Sequence, residues 1–273
     1  FLSAASNNGH PTLRMIRNNI SGSARFARFG EEDQGARLRW ITQLFEDPHA
    51  LKSAEALLRV ADIGISNIQV ENKQVPEYFR IAMTEFIARL NPDTPDSKTK
   101  NASNAVEAVL ANLEKILRFT HGGTESENSA TLGISEESSG TVAWLALAVP
   151  AAHALRRGEI YLVDEIDASL HPRLTATLID MFKNPEDRRR GAQLIFTSHD
   201  TSLLGHLHGD GLSPDEVWLT EKNVNGGTEL YSLAEFPVRS RDNFERRYLQ
   251  GRYGAVPVIA RDELQDALGL RVG

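Results

Sequence analysis

The chain has 273 residues, 41% of them hydrophobic and 25% charged, which is enough apolar material for one or two globular domains with a sizeable core. Cysteine is absent, which excludes disulfides and thiolate metal sites and is compatible with a reducing, cytoplasmic setting. The net charge of -7 gives no whole-molecule attraction for nucleic acid, and no apolar run approaches membrane-spanning length, so no membrane partner is expected.

From the amino terminus, Pro11 to Ile20 carries Leu13, Ile16 and Ile20 at helical spacing and predicts a short helix. A Gly/Ser-containing link follows, from Ser21 to Gly30. Ala36 to Phe45 and Leu51 to Val60 are better helical segments, parted by Asp47-Pro48. Ile63 to Val70 alternates as a strand does, and Tyr78 to Leu90 again reads helical. Asn91 to Ser103, with its prolines, lysines and short polar residues, reads as an exposed loop. Ala105 to Leu117 returns to helical periodicity, Leu117 to Thr120 suits a short strand, and His121 to Ala130 is polar and turn-rich. Neither a repeat nor a sustained heptad occurs, so no long coiled-coil arm is expected within this sequence.

The chemistry-bearing residues begin at Glu136-Glu137-Ser138-Ser139-Gly140-Thr141, which opens a segment to Arg156 suited to a mostly buried helix. A Ser-Ser-Gly start presents hydroxyls and unpaired backbone N–H groups at the positive end of that helix, a ready anion site. A plain N-cap would need the Ser but has no use for the Gly. Ile160 to Val163 is an apolar run of buried-strand length, and Asp164 and Glu165 stand where it ends. The carboxyl edge of an open α/β sheet is where ligands bind; one acid there can hold Mg²⁺, and its neighbour can take a proton from an attacking water.

Pro172 to Phe182 predicts a helix with proline at a tolerated position near its start. Arg188-Arg189-Arg190 reads as a solvated loop, with phosphate contact as the lesser alternative. Gln193 to Ser198 is a second apolar strand, ending in His199-Asp200, where an imidazole can sense a γ-phosphate. His206 and His208 beside Asp210 form at most a weak metal trio, and no metal is expected there. Glu216 to Thr220 and Thr228 to Leu233 read as two strands joined through Asn225-Gly226. Arg239, Arg241, Arg246, Arg247 and Arg252 then make the tail basic, either to pair with the chain's excess carboxylates or to meet a partner or nucleic acid.

The order Ser-Ser-Gly, strand-Asp-Glu, Ser-Leu-His-Pro and strand-Thr-Ser-His-Asp resembles the second half of an ABC-type P-loop ATPase head, as in chromosome-maintenance and break-repair ATPases. More narrowly, E-S-S-G-T, V-D-E-I-D-A-S-L-H-P, F-T-S-H-D-T and R-R-Y-L-Q-G-R-Y-G-A-V-P resemble the abortive-infection ATPases of bacterial anti-phage systems, often filed under the AAA name. The likeness is most specific from about Ile134 to Ile259. It implies an α/β fold, with a mainly helical insert or arm carrying a short strand element over residues 1–133 and an ABC-type ATPase core over 134–273.

The same resemblance assigns roles. Ser138, Ser139 and Gly140 would form the signature motif that meets the γ-phosphate bound on an opposite head. Asp164 would hold Mg²⁺ and Glu165 would deprotonate the attacking water; Ser169 and His171 would lie in the D-loop, and His199 would be the switch histidine. ATP and Mg²⁺ are the implied cofactors. The implied partners are a second copy in a homodimer or higher homo-oligomer, an effector protein such as a nuclease, and a nucleic-acid or phage-protein trigger.

One departure weighs against completeness. No Gly-Lys pair occurs in the sequence, so the Walker A loop that cradles the phosphates is absent, and the chain starts at Phe1. The expectation is a carboxyl-terminal portion whose Walker A lobe lies elsewhere. Two other readings stay open: a DNA-repair or chromosome-maintenance ATPase, and a scaffold in which nucleotide is bound without being hydrolysed.

Overall fold

The computed structural model describes residues 22–28, 30–61, 63–72, 76–79, 81, 82, 85, 115–122, 130–184, 191–205, 211–237, 243–257, 264, 265, 267 and 268. They fall into two compact units, Phe1–Thr197 and Ser198–Gly273. The first contains, in chain order, β1 (Ala24–Ala27), α1 (Glu31–Leu44), α2 (Pro48–Val60), β2 (Ile65–Asn72), β3 (Lys115–His121), β4 (Ala130–Gly133), a 3₁₀ turn (Ile134–Glu136), α3 (Ser139–Arg157), β5 (Ile160–Val163), α4 (Pro172–Lys183) and β6 (Gln193–Phe196).

Two sheets organise this unit. One is parallel, in the order β1-β5-β6, so β5 is the middle strand and Ala27, Val163 and Phe196 share its last row. The other is antiparallel, in the order β2-β3-β4. A parallel strand in the middle of a sheet reads as a continuous apolar run, which is why Ile160-Tyr161-Leu162-Val163 is legible as β5. The boundary expected between residues 133 and 134 falls inside this unit, where β4 ends and the 3₁₀ turn begins.

Helix α3 forms the centre of the core. Its residues from Ala143 to Ala151 are all buried, so it is apolar round its whole circumference rather than along one stripe. It packs against α1, α2, α4 and the parallel sheet. Trp144 is fully buried, and its indole N–H donates to the Leu57 carbonyl oxygen on α2 at 2.9 Å, so the ring loses no hydrogen bond on leaving water. Ile41 on α1 and Leu58 on α2 are also completely buried, each contributing about 1.5–3 kcal/mol. The helix ends at Gly158, whose left-handed backbone (φ 72°) turns the chain directly into β5.

Local signals set most helix starts. Asp47 caps α2 by accepting from the His49 N–H, with Pro48 at the first turn, so the Asp47-Pro48 pair that parted two predicted helices marks the start of the second. The structure corrects three expectations. Ser21 to Gly30 is not simply a link, since Ala24–Ala27 is a strand of the parallel sheet. Lys115, Ile116 and Leu117 belong to β3 rather than to the end of a helix, because they pair with Asn72, Glu71 and Val70 of β2. Ala130 to Gly133, expected only as the end of a turn-rich stretch, forms β4. The expected helix Pro11–Ile20, the loop Asn91–Ser103, the Arg188–Arg190 run and the His206, His208 and Asp210 trio lie outside the described residues, as do most of the helices expected over Tyr78–Leu90 and Ala105–Leu117.

The second unit holds a 3₁₀ turn (Thr201–Leu204), β7 (Trp218–Lys222), β8 (Thr228–Ser232), a 3₁₀ turn (Leu233–Glu235) and α5 (Phe244–Leu249). Strands β7 and β8 make the expected hairpin, in which Asn223 Oδ1 accepts from the Asn225 and Gly227 N–H groups and Gly226 supplies the positive φ. Val217, Leu219, Leu233, Phe244 and Tyr253 form its apolar core. Among the described residues no helix is long and apolar enough to cross a membrane.

Candidate functional site

At the carboxyl end of β5 the chain makes an abrupt turn. Glu165 (φ 52°) and Ser169 (φ 62°) both adopt the left-handed backbone conformation that side chains ordinarily avoid. Each such residue costs on the order of 1–2 kcal/mol, and strain of this kind persists where the surroundings over-determine the backbone. Here they do. The Glu165 N–H donates to Thr197 Oγ1 at 2.8 Å, the Thr197 hydroxyl donates to Asp164 Oδ1 at 2.7 Å, and the Ile166 N–H donates to the Thr197 carbonyl oxygen at 3.0 Å. The Asp164 N–H donates to the Ala27 carbonyl oxygen of β1 at 2.8 Å. One hydroxyl at the end of β6 thus fixes both acids, with Asp164 tied to strands on either side.

Facing these acids is the start of α3. Ser138 is its N-cap: its Oγ lies 3.1 Å from the Thr141 nitrogen and accepts from that N–H, with the Thr141 hydroxyl at 2.9 Å. The next N–H groups, of Ser139 and Gly140, have no intrahelical acceptor by the geometry of any helix start. Gly140 lies close to the acid-bearing loop: a Cβ there would sit 3.4 Å from the Ser169 carbonyl oxygen, in van der Waals contact. The Ser-Ser-Gly turn and the Ser169 loop therefore touch within one chain.

Between the two walls lies a cavity of about 580 Å³. Ser139, Asp164, Glu165 and Ser169 line it, so four of the eight residues singled out from the sequence share one space. Ser138 and Gly140 flank Ser139 on the same turn. His171 is the N-cap of α4, where its Nδ1 accepts from the Arg173 N–H at 3.2 Å. His199 is exposed and belongs to the second unit, on the segment that leads to the Asp200-capped turn Thr201–Leu204.

The cavity also has a wall that sequence reasoning missed. Glu31, Gln34 and Arg37 reach it from α1, and Arg28 from the end of β1. Their one sequence signal is spacing, since residues 31, 34 and 37 fall on one helical face. Arg37 donates from Nη1 to the Arg28 carbonyl oxygen at 3.0 Å and lies 3.7 Å from Asp33, while its buried Nε has no partner among the described residues. Burial lowers the Arg37 pKa from its ordinary value, opposed by the neighbouring Tyr161 and Asp33. Thr197 was missed as well, being read only as the last part of a strand. At the opposite end of β5, Glu159 accepts from Arg25 at 2.5 Å and from Arg157 at 2.6 Å. Burial works to raise its carboxyl pKa, but these two bonds outweigh it and hold the pKa below the usual value.

The donor set suits a hydrated divalent cation and a phosphate better than a dedicated protein metal cage. No group of three or more His, Asp or Glu residues that could hold a metal occurs among the described residues. Asp164 offers a second carboxylate oxygen beyond the one bonded to Thr197, and Mg²⁺ is commonly held by one or two carboxylates together with water and substrate phosphates. Arg28, Arg37 and the open α3 start can meet an anion, but the lining also carries Glu31, Glu137, Asp164 and Glu165, so a phosphate there would need a cation beside it.

A family model described as "AAA domain, putative AbiEii toxin, Type IV TA system" matches residues 17–205, more than half of the chain. No curated protein matches it. The parallel sheet, its paired acids and that match agree, and the chain belongs to this family of AAA P-loop ATPase domains.

Proposed function

We propose that this chain supplies the acid and signature walls of an ABC-type ATPase head, which binds and hydrolyses ATP in a bacterial anti-phage, abortive-infection complex. The observation that carries the reading is the pairing of Asp164 and Glu165 on a strained turn at the end of the middle parallel strand, beside a cavity that Arg28 and Arg37 also line. A β- and γ-phosphate cradle comes from a Walker A segment that this sequence does not contain.

Asp164 would hold Mg²⁺, which would supply charge neutralisation for the phosphates. Glu165 orients a water and accepts its proton as the water oxygen bonds to the γ-phosphorus; the bond to the bridging oxygen breaks, leaving ADP and inorganic phosphate. Ser138, Ser139 and Gly140 serve the γ-phosphate of a second copy, so two ATP molecules are held between paired heads. Ser138 and Ser139 are exposed, which leaves them accessible to such a partner. Ser169 and His171 relay the bound state between heads, and His199 reports the γ-phosphate. Pairing and parting of the heads gates an effector protein, a nuclease in this reading, after a nucleic-acid or phage-protein trigger.

The direct check is Glu165→Gln in the full-length protein. Turnover is expected to fall at least about 100-fold while ATP binding persists, because the substitution removes the base and keeps the shape. Turnover equal to wild type would end the proposal.

A further inference from the structure

Glu137 stands between the 3₁₀ turn Ile134–Glu136 and the Ser138 cap, in extended conformation (φ -77°, ψ 158°). Its neighbour Glu136 is used locally: Oε2 accepts from the Gly133 N–H at 2.6 Å and lies 3.9 Å from Arg118 Nη1. Glu137 points elsewhere. Its side chain is only 3% exposed, and its Oε1 lies 2.7 Å from Nε2 of His121. His121 is the last residue of β3 and is held from both sides, opposite Ile65 of β2 and Ala130 of β4.

We infer that His121 and Glu137 are a positioning pair, through which the antiparallel sheet sets the place of the Ser138 turn on the cavity wall. A carboxylate withdrawn from water is stable only while a hydrogen-bonding partner faces it, and removing one partner of such a pair costs more than the pair contributes. With His121 gone, the cheapest remedy for Glu137 is to swing toward solvent. Because the next residue is the N-cap of α3, that swing shifts the hydroxyl and the first-turn N–H groups that the proposed reaction uses. Glu137 also lines the cavity beside Ser139, and in this proposal the His121 contact acts through the turn that carries both. β2 and β3 are joined by residues 73–114, so anything that displaces that hairpin reaches the signature turn through this bond.

The effect on turnover rests on the ATPase reading, whereas the structural link does not, and two measurements on the full-length protein separate them. In His121→Ala, hydrogen exchange at the Thr141 and Val142 amides without nucleotide is expected to speed up about tenfold, and kcat to fall by a similar factor with KM for ATP within about twofold. In His121→Gln, whose amide nitrogen can donate to the same carboxylate, both should return to wild type. Unchanged exchange in His121→Ala, or a Gln variant as fast as the Ala variant, overturns the pair. Faster exchange with unaltered kcat overturns its part in the reaction. If Glu165→Gln turns over like wild type, the ATPase reading has failed and the exchange comparison alone decides the pair. Should His121→Ala not fold, adding Glu137→Gln removes the charge that needs a partner; recovery of folding supports the pair and continued misfolding overturns it.

Discussion

The two walls of the cavity are held in different ways. On the acid wall, Asp164 and Glu165 are fixed by strained backbone and by one hydroxyl, Thr197, within the parallel sheet itself. On the signature wall, Ser138 is set by a helix cap and by the His121–Glu137 bond to a separate sheet. The difference teaches which wall can move. In the proposed reading the metal ligand and base would need to be rigid, whereas a turn that engaged and released a second copy would benefit from being linked to an element outside the sheet.

Breaking the acid wall should have the larger consequence. Thr197→Val removes the hydroxyl bonded to Asp164 and Glu165 while keeping the strand's shape, and should cost about tenfold in turnover and raise the Mg²⁺ concentration needed, as removal of outer-shell support generally does. Thr197→Ser should stay near wild type; a serine variant as slow as valine would show that the hydroxyl is not what matters. On the other wall, Ser138→Ala removes the α3 cap and should cost about 1 kcal/mol in urea unfolding, a loss absent if the cap carries no stability.

A smaller effect tests the far end of β5. Because Glu159 has its carboxyl pKa lowered by Arg25 and Arg157, its contribution is present above the unfolded-state carboxyl pKa and is lost as pH falls through the lowered folded value. Glu159→Gln should therefore reduce Tm by about 2 °C at neutral pH and by progressively less under acid conditions. A constant deficit from neutral to acid pH would point to lost packing instead.

Much of the fold was legible because it rests on long or continuous patterns. The apolar run of β5, the segment that becomes α3 and the Pro172–Lys183 helix declare themselves through local composition. Ala24-Arg25-Phe26-Ala27 and Ala130-Thr131-Leu132-Gly133 do not, since four residues with a charge or a glycine carry too little periodicity. They are strands because β5 and β3 offer them hydrogen-bonding edges. The same division holds for the site: Asp164, Glu165 and the Ser138 turn are readable as motifs, but Arg37, Arg28 and Gln34 reach the cavity from elements more than a hundred residues upstream of its motifs.

By itself, the sequence determined on which kind of element each singled-out residue sits, because capping, turn formation and strand burial act over a few neighbours. Only the tertiary structure decided that Thr197 holds both acids, that α1 closes the cavity, and that Glu137 faces His121. Those contacts join residues from 16 to more than 100 positions apart, and such pairings are selected by packing and by the need to satisfy buried polar groups, neither of which leaves a local trace.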